Sequence, residues 1–335
     1  MATITDSDGW VPVTRPEITD IALGGNETNF PGKFFRELAS RDQYLYETAL
    51  GGDATSIASA VAFRQLGIAA VAQGRLTLET GVPVSTTDQT AKTVLYYTPY
   101  SGDYVALYDT VNTRWDLFQF TERSLSLSGL AANTNYDIFI YNNSGTLTLQ
   151  AVAWATSGAG TSTRASAITQ LDGVWVKDSD KRRYLGTIRT TATTGQCEDS
   201  KQSRFVWNIV NQVNRIILLE DTTSNVYSGS YRYYGGTTTN QINLVNGLKT
   251  EYLIGYSAHI NGDGNSVACG LNSTTPINTT LVGIINSADF VTGAATISTT
   301  NVASCPIGFN YISLLQSGDG SSGFFGAQVA GIIEC

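Results

Sequence analysis

The sequence predicts a mainly β chain: two antiparallel β-sandwich-like modules, preceded by a short helical N-terminal region, with one helix inserted at the start of the second module. Three observations carry this. From about Arg75 onward apolar residues recur at every second position, the period of a strand with one buried face. Clusters of Gly, Asn, Ser and Asp separate these runs at short intervals. Charged residues make up 14% of the 335 positions, and Tyr (17) outnumbers Phe (12), so neutral strand-and-turn chemistry replaces the usual charged surface.

Residues 1–74 differ from the rest. The first thirty or so are polar and broken by Pro12, Pro16 and Gly24-Gly25, which reads either as an arm that orders on a neighbour or as a frayed terminus. Pro31 suits the first turn of a helix, and Phe34, Phe35, Leu38, Tyr44, Leu45 and Leu50 follow at three- and four-residue steps until Gly51-Gly52. A second helical pattern runs from Ser56 to about Ala72, weakened by Gly67. Each is too short and too mixed to make its own core. The region is therefore read as an arm and attachment segment, with a helical hairpin packed on its own domain as the alternative.

Residues 75–176 carry the first β module. Leu76/Leu78, Val94/Tyr96, Tyr104/Ala106/Tyr108, Trp115/Leu117, Leu125/Leu127, Tyr136/Ile138/Ile140 and Leu147/Leu149/Ala151 alternate with polar neighbours. Gly81, Ser101-Gly102-Asp103, Asn112-Thr113, Asn133 and Asn142-Asn143 supply the turns between them. Ser157–Thr163 is a flexible connection, and Val174-Trp175-Val176 leads into the second module.

Residues 177–335 form the second module. Tyr184–Arg189 alternates as a strand. Asp199-Ser200-Lys201-Gln202 matches a capping box, and Phe205, Val206, Ile209, Val210 and Val213 follow on one helical face. Arg215–Leu219 resumes a strand, and Tyr227, Tyr231 and Tyr233 share one face of the next, opposite Arg232 and Tyr234. Asn246-Gly247 and Asn261-Gly262 mark turns. Ile307–Leu315 and Phe324–Ile333 are expected to be strands joined by a hairpin loop, Ser317–Gly323.

Two segments carry a resemblance. YLGTIRTT (Tyr184–Thr191), then EDS, RFVWN and NR up to Arg215, with the Tyr-rich strand Tyr227–Tyr234, resembles bacteriophage virion proteins of the tail-fibre, receptor-facing or capsid-surface kind. The stretch Thr77–Asp109 resembles the same group, and together they span roughly half of the chain. Ser128–Asn143 is weakly similar to fibronectin-like modules. The resemblance implies a virion component assembled in a host cytoplasm. Its partners would be further copies of itself, as a homotrimer, other virion proteins through the N-terminal region, and a host surface glycan or protein. Low charge and long β edges suit a subunit with large buried interfaces.

Composition and motifs exclude several chemistries. A net charge of −8 lacks the basic field that nucleic-acid binding needs. No leader pattern opens the chain, and no apolar run is long enough for insertion into a membrane. Cys197, Cys269, Cys305 and Cys335 are widely spaced and read as structural thiols, with a late disulfide or a shared metal as the other readings. His259, the single histidine, is assigned to a surface or subunit contact, since no nucleophile motif accompanies it. Asn261–Asn265 resembles half a calcium loop but lacks its alternating acidic ligands, so a turn is expected there.

Glu198-Asp199 is the best acidic pair, yet neighbours on one loop rarely flank a glycosidic bond, and Asp103, Asp109, Asp116 and Asp172 are scattered at turns. No catalytic, cofactor or metal residue is assigned, and no cofactor is expected. The candidate binding residues, for a receptor or a subunit interface, are Tyr227, Tyr231, Tyr233, Tyr234 and His259. The function expected is a non-enzymatic virion structural protein: a trimeric tail fibre or receptor-binding protein for host adsorption. A capsid decoration or head-fibre protein and a tailspike-like glycan depolymerase are the alternatives.

Overall fold

A computed structural model describes residues 67–248, 250–261, 265–275, 285–286 and 294–335. The expected N-terminal arm and the first helical candidate lie outside the described residues. Of the second candidate residues 67–72 fall inside them: 67–69 make a helical turn, and Ala72 already forms an antiparallel bridge with Val105.

Among the described residues from Ile68 to Cys335 the regular structure is almost all strand. A three-stranded sheet joins β1 (Gly74–Thr77), β3 (Val94–Pro99) and β6 (Arg123–Ser126), and β4 (Tyr104–Asp109) forms a hairpin with β5 (Arg114–Gln119). A seven-stranded sheet runs β10 (Ile168–Leu171), β11 (Val174–Lys177), β12 (Arg183–Arg189), β7 (Asn135–Asn143), β8 (Thr146–Thr156), β9 (Thr163–Arg164). A short strand, β15 (Val206–Asn208), pairs with β12. An eleven-stranded sheet is ordered β2 (Gln89–Lys92), β13 (Cys197–Asp199), β14 (Ser203–Arg204), β18 (Gln241–Asn246), β23 (Gly308–Glu334), β19 (Thr250–Asn261), β22 (Ala294–Cys305). Strands β16 (Asn214–Asp221), β17 (Asn225–Tyr233) and β20 (Ser266–Leu271) also pair with β23, and β21 (Ile285–Asn286) pairs with β20. Among the described pairings only β14 with β18 is parallel.

The seven-stranded sheet is packed on both faces. Alternation along β7 sends Ile138 and Ile140 into a core with Leu76, Leu95, Leu107 and Leu185, while Phe139 turns the other way. There it meets Tyr184, Trp207, Ile242, Ile312 and Val329 beneath the eleven-stranded sheet. All seven residues of β12 are consequently buried. Polar residues on this sheet must then find partners inside the protein. Asp137 accepts from Arg164 Nε at 2.7 Å and from Thr187 Oγ1 at 2.7 Å, and Thr187 also bonds the Tyr184 hydroxyl at 2.5 Å. Arg164 goes on to donate to the Gly247 carbonyl at 2.6 Å, which ties the two large sheets together.

The mainly β expectation holds, but the expected helix over 200–213 does not form. That stretch becomes β14, β15 and a bend before β16. The apolar spacing of Phe205, Val206 and Ile209 fits either period, and β-branched residues favour the pleated form. Tertiary partners decide the matter. Asn208 exchanges hydrogen bonds with the backbone of Leu76, and Phe205 and Val206 enter one core while Trp207 enters the other. Asp199 caps nothing: its carboxylate is held by Arg204 at 3.1 Å and Arg215 at 3.3 Å.

A second correction concerns Ser317–Gly323, expected to be a hairpin loop. It lies inside the 27-residue strand β23, with Gly318 opposite Gly229 and Ser317 opposite Ser266. Gly320 takes a φ of +82° within this strand, a conformation glycine allows. The boundary expected between 176 and 177 falls at the end of β11, whose Val176 pairs with Arg183 of β12 within one sheet.

Candidate binding site

The tyrosines expected to form a binding face do not stay on one face. Register shifts between Val226 and Ser228 and between Gly229 and Arg232 break the two-residue period along β17. Tyr227 donates its hydroxyl to the Ser230 carbonyl at 2.8 Å, and the Arg232 guanidinium covers its ring at 3.7 Å. Tyr231 is half-buried beside the Ser266 and Ser317 hydroxyls, and burial raises its phenol. Burial also pushes Tyr233 up to about 12, helped by the neighbouring Tyr311 hydroxyl; its own hydroxyl reaches Gln241 Oε1 at 3.4 Å.

Tyr234 is corrected outright. It is fully buried at the start of a 3-10 turn (Tyr234–Gly236), packs edge-on against Phe324 and bonds the Thr223 carbonyl at 3.3 Å. A side chain with no exposed surface touches no ligand, so Tyr234 is a core residue. His259 sits on β19, opposite Thr296 of β22 and Gly326 of β23. The structure thus gathers Tyr227, Tyr231 and Tyr233 along one strand, with their hydroxyls engaged by the chain itself.

The expected acidic pair fares similarly. Asp199 is bound by its two arginines, and Glu198 accepts from Ser200 Oγ at 2.5 Å. The four cysteines are free and buried, and burial raises every thiol: Cys305 to about 12, Cys335 to about 11, Cys197 and Cys269 higher still. Residues 262–264 of the expected calcium-like turn lie outside the described residues.

A concave site appears elsewhere. A cleft of about 360 Å³ opens between the β4–β5 hairpin, the end of β7 and the turn from β11 to β12. Cross-strand register explains the hairpin wall. Leu107 pairs with Asp116 and Val105 with Phe118, so Leu107, Asp116 and Phe118 share one face with Asp109. Leu107, Ile140 and the buried Arg183 line its interior; Arg183 is anchored by donating to the carbonyls of Ala69 and Ala106 at 2.7 and 3.0 Å. Tyr141, Asp180 and Arg182 line the cleft as well. The Arg182 guanidinium lies over the Tyr141 ring at 3.8 Å, pairs with Asp180 at 3.1 Å and donates to Gln150 Oε1 at 2.7 Å.

The three carboxylates are all engaged. Asp109 accepts from the Asn112 side chain at 2.6 Å and from the Asn112 and Val111 amides, which together hold it below the usual carboxylate range. Asp116 pairs with Arg114 at 2.9 Å, and Asp180 with Lys177 at 3.0 Å as well as with Arg182. Such groups are acceptors with lone pairs to spare. Asp109 and Asp116 read as unrelated turn carboxylates in the sequence. Their shared strand parity with Leu107 and Phe118 was the available signal, but Asp180 and Arg182 join them only through the fold.

No family model and no curated protein matches this chain. Among solved structures it is similar to the insecticidal delta-endotoxin Cry8Ea1 from Bacillus thuringiensis, at 8% identity and a TM-score of 0.22, over 82% of this chain and 55% of that one. The structure of the infectious bursal disease virus Gx strain is similar at 11% identity and a TM-score of 0.24, over 75% and 73%. Latent PorU from Porphyromonas gingivalis follows at 9% identity and a TM-score of 0.22, over 77% and 21%. The chain thus spans about half the length of the endotoxin, and likenesses this distant carry no functional argument.

Proposed function

We propose that the chain is a non-enzymatic structural protein of a virion, a trimeric tail fibre or receptor-binding protein that serves host adsorption. The observation that carries this reading is the state of the cleft carboxylates. A general acid must hold a proton near neutral pH, which requires desolvation or a like charge beside it. Asp109 is instead held below the usual carboxylate range by three N–H donors, while Asp116 is paired with Arg114 and Asp180 with Lys177 and Arg182. That arrangement suits holding a ligand better than cleaving one. Self-association has a surface to use: Ile216 of β16 and Ile332 of β23 are direct cross-strand partners, 58% and 55% exposed. A second copy of the chain is the occupant that a low-charge, β-edged subunit favours.

Electron microscopy of particles labelled with antibody against the chain tests the reading, together with the mass of the purified full-length protein. Label on tail fibres and a three-chain mass support it. Label on the capsid shell moves the protein to decoration. Reducing sugar released from host envelope glycans by the purified chain, and lost in Asp116→Asn, overturns the non-enzymatic assignment.

A further inference from the structure

We propose that the cleft between the β4–β5 hairpin, the end of β7 and the β11–β12 turn binds a neutral saccharide. This rests on the adsorption reading and names the ligand class of its site. Four features of the cleft carry it. At about 360 Å³ it falls in the lower part of the range of roughly 300–1,000 Å³ typical of small-molecule sites. Phe118, on the same hairpin face as Asp109 and Asp116, offers half-buried ring surface, the kind that packs against the C–H face of a sugar. Asp109, Asp116 and Asp180 are acceptors held in place by their own partners, which suits vicinal hydroxyl donors. Arg182 is fixed by ring, carboxylate and amide together, so its remaining N–H groups wait in place at little entropic cost.

The competing ligands fit less well. A divalent cation needs several carboxylates converging on one point, and among the described residues no group of three or more His, Cys, Asp or Glu side chains is close enough to hold one. An anionic sugar would face three aspartates, while Arg183 directs its guanidinium to the Ala69 and Ala106 carbonyls and Arg182 already serves Asp180. Neutral hydroxyls use acceptors and donors alike and bring no charge to be repelled. The apolar patch of Ile216 and Ile332 lies on another sheet and plays no part here.

Saturation-transfer NMR and titration calorimetry on the full-length protein test the assignment. The probes are methyl β-galactoside, methyl α-mannoside and N,N′-diacetylchitobiose, with sialyllactose and calcium chloride as the competing chemistries. Binding of at least one neutral probe is expected. Asp116→Asn, which keeps the shape and removes the charge, should weaken it about tenfold, the loss of one charge-assisted hydrogen bond. Tyr141→Ala should weaken it also, by freeing Arg182. Glu220→Gln, exposed on β16, should leave it unchanged, and thermal melting of each variant reports whether it folds. Absence of binding to all three neutral probes overturns the proposal. So does a preference for sialyllactose or calcium, or full affinity in folded Asp116→Asn and Tyr141→Ala. Saccharide binding without host adsorption counts against the adsorption reading and leaves the site standing; adsorption without saccharide binding overturns the site alone.

Discussion

Replacing Arg164 with Met tests how the two large sheets are held together. Among the described residues Arg164 is the sole charged partner of Asp137, whose side chain is 3% exposed, and binds it through Nε at 2.7 Å and Nη2 at 3.3 Å. It also bonds the Gly247 carbonyl at 2.6 Å and covers the Trp154 ring at 4.5 Å. Methionine fills much of the volume but strands the carboxylate. Breaking a buried pair from one side costs about 3–5 kcal/mol.

The penalty has a sign in pH. Burial already raises the Asp137 carboxyl above its ordinary value, against the pull of Arg164, so removing Arg164 raises it further. An acid with a raised folded value loses stability as pH climbs from the unfolded value, about 3.9, through the folded one. Arg164→Met should therefore lose about 3–5 kcal/mol at pH 7.5 and less at pH 4.5, because protonating Asp137 relieves the stranded charge. Urea unfolding followed by tryptophan fluorescence at both pH values measures this. Adding Asp137→Asn to the Met variant should recover much of the loss at pH 7.5. A cost under about 1 kcal/mol, or one independent of pH, would refute the argument, because it would mean the carboxylate is solvated.

Three further outcomes are expected. Gly186→Ala should cost about 2–4 kcal/mol, since a Cβ there collides with the Trp207 carbonyl between β12 and β15; Gly173→Ala, with open space around it at φ +80°, should cost about 1 kcal/mol, and thermal melting separates the two. Iodoacetamide at pH 8 should leave all four thiols of the native protein unmodified, because they are buried with raised pKa values, and should label them after denaturation; fast labelling of the native protein contradicts the packing around them. Tyr234→Ala should destabilise by about 3–5 kcal/mol as a core cavity, whereas Tyr227→Ala, at a half-buried position on the edge of the same core, should cost less in the same denaturation assay.

The strand content was legible because it is local. Leu147, Leu149 and Ala151, or Tyr136, Ile138 and Ile140, announce their period whatever the rest of the chain does, and β7 and β8 form where they indicate. The segment from Ser200 to Val213 was illegible for an equally physical reason. Its apolar positions satisfy both periods, and the choice fell to Asn208 meeting Leu76 and to Asp199 meeting Arg215, partners distant in sequence or on another strand. The tyrosine face failed through two register shifts in β17 that no composition encodes. The cleft was half visible: β4 and β5 place Asp109, Asp116 and Phe118 on one side, but Asp180 and Arg182 arrive from a turn some sixty residues later.

By itself, then, the amino-acid sequence determined a β chain of low charge and the positions of most strands from Arg75 on. The tertiary structure alone decided that Ser317–Gly323 stays within a single long strand, that both faces of β12 are buried, and that Tyr234 is core. It alone gathered the acceptors, donors and rings of the cleft. The division has a simple cause. Alternation along a strand specifies which residues share a face, and says nothing about which other face, many residues away, will be laid against it.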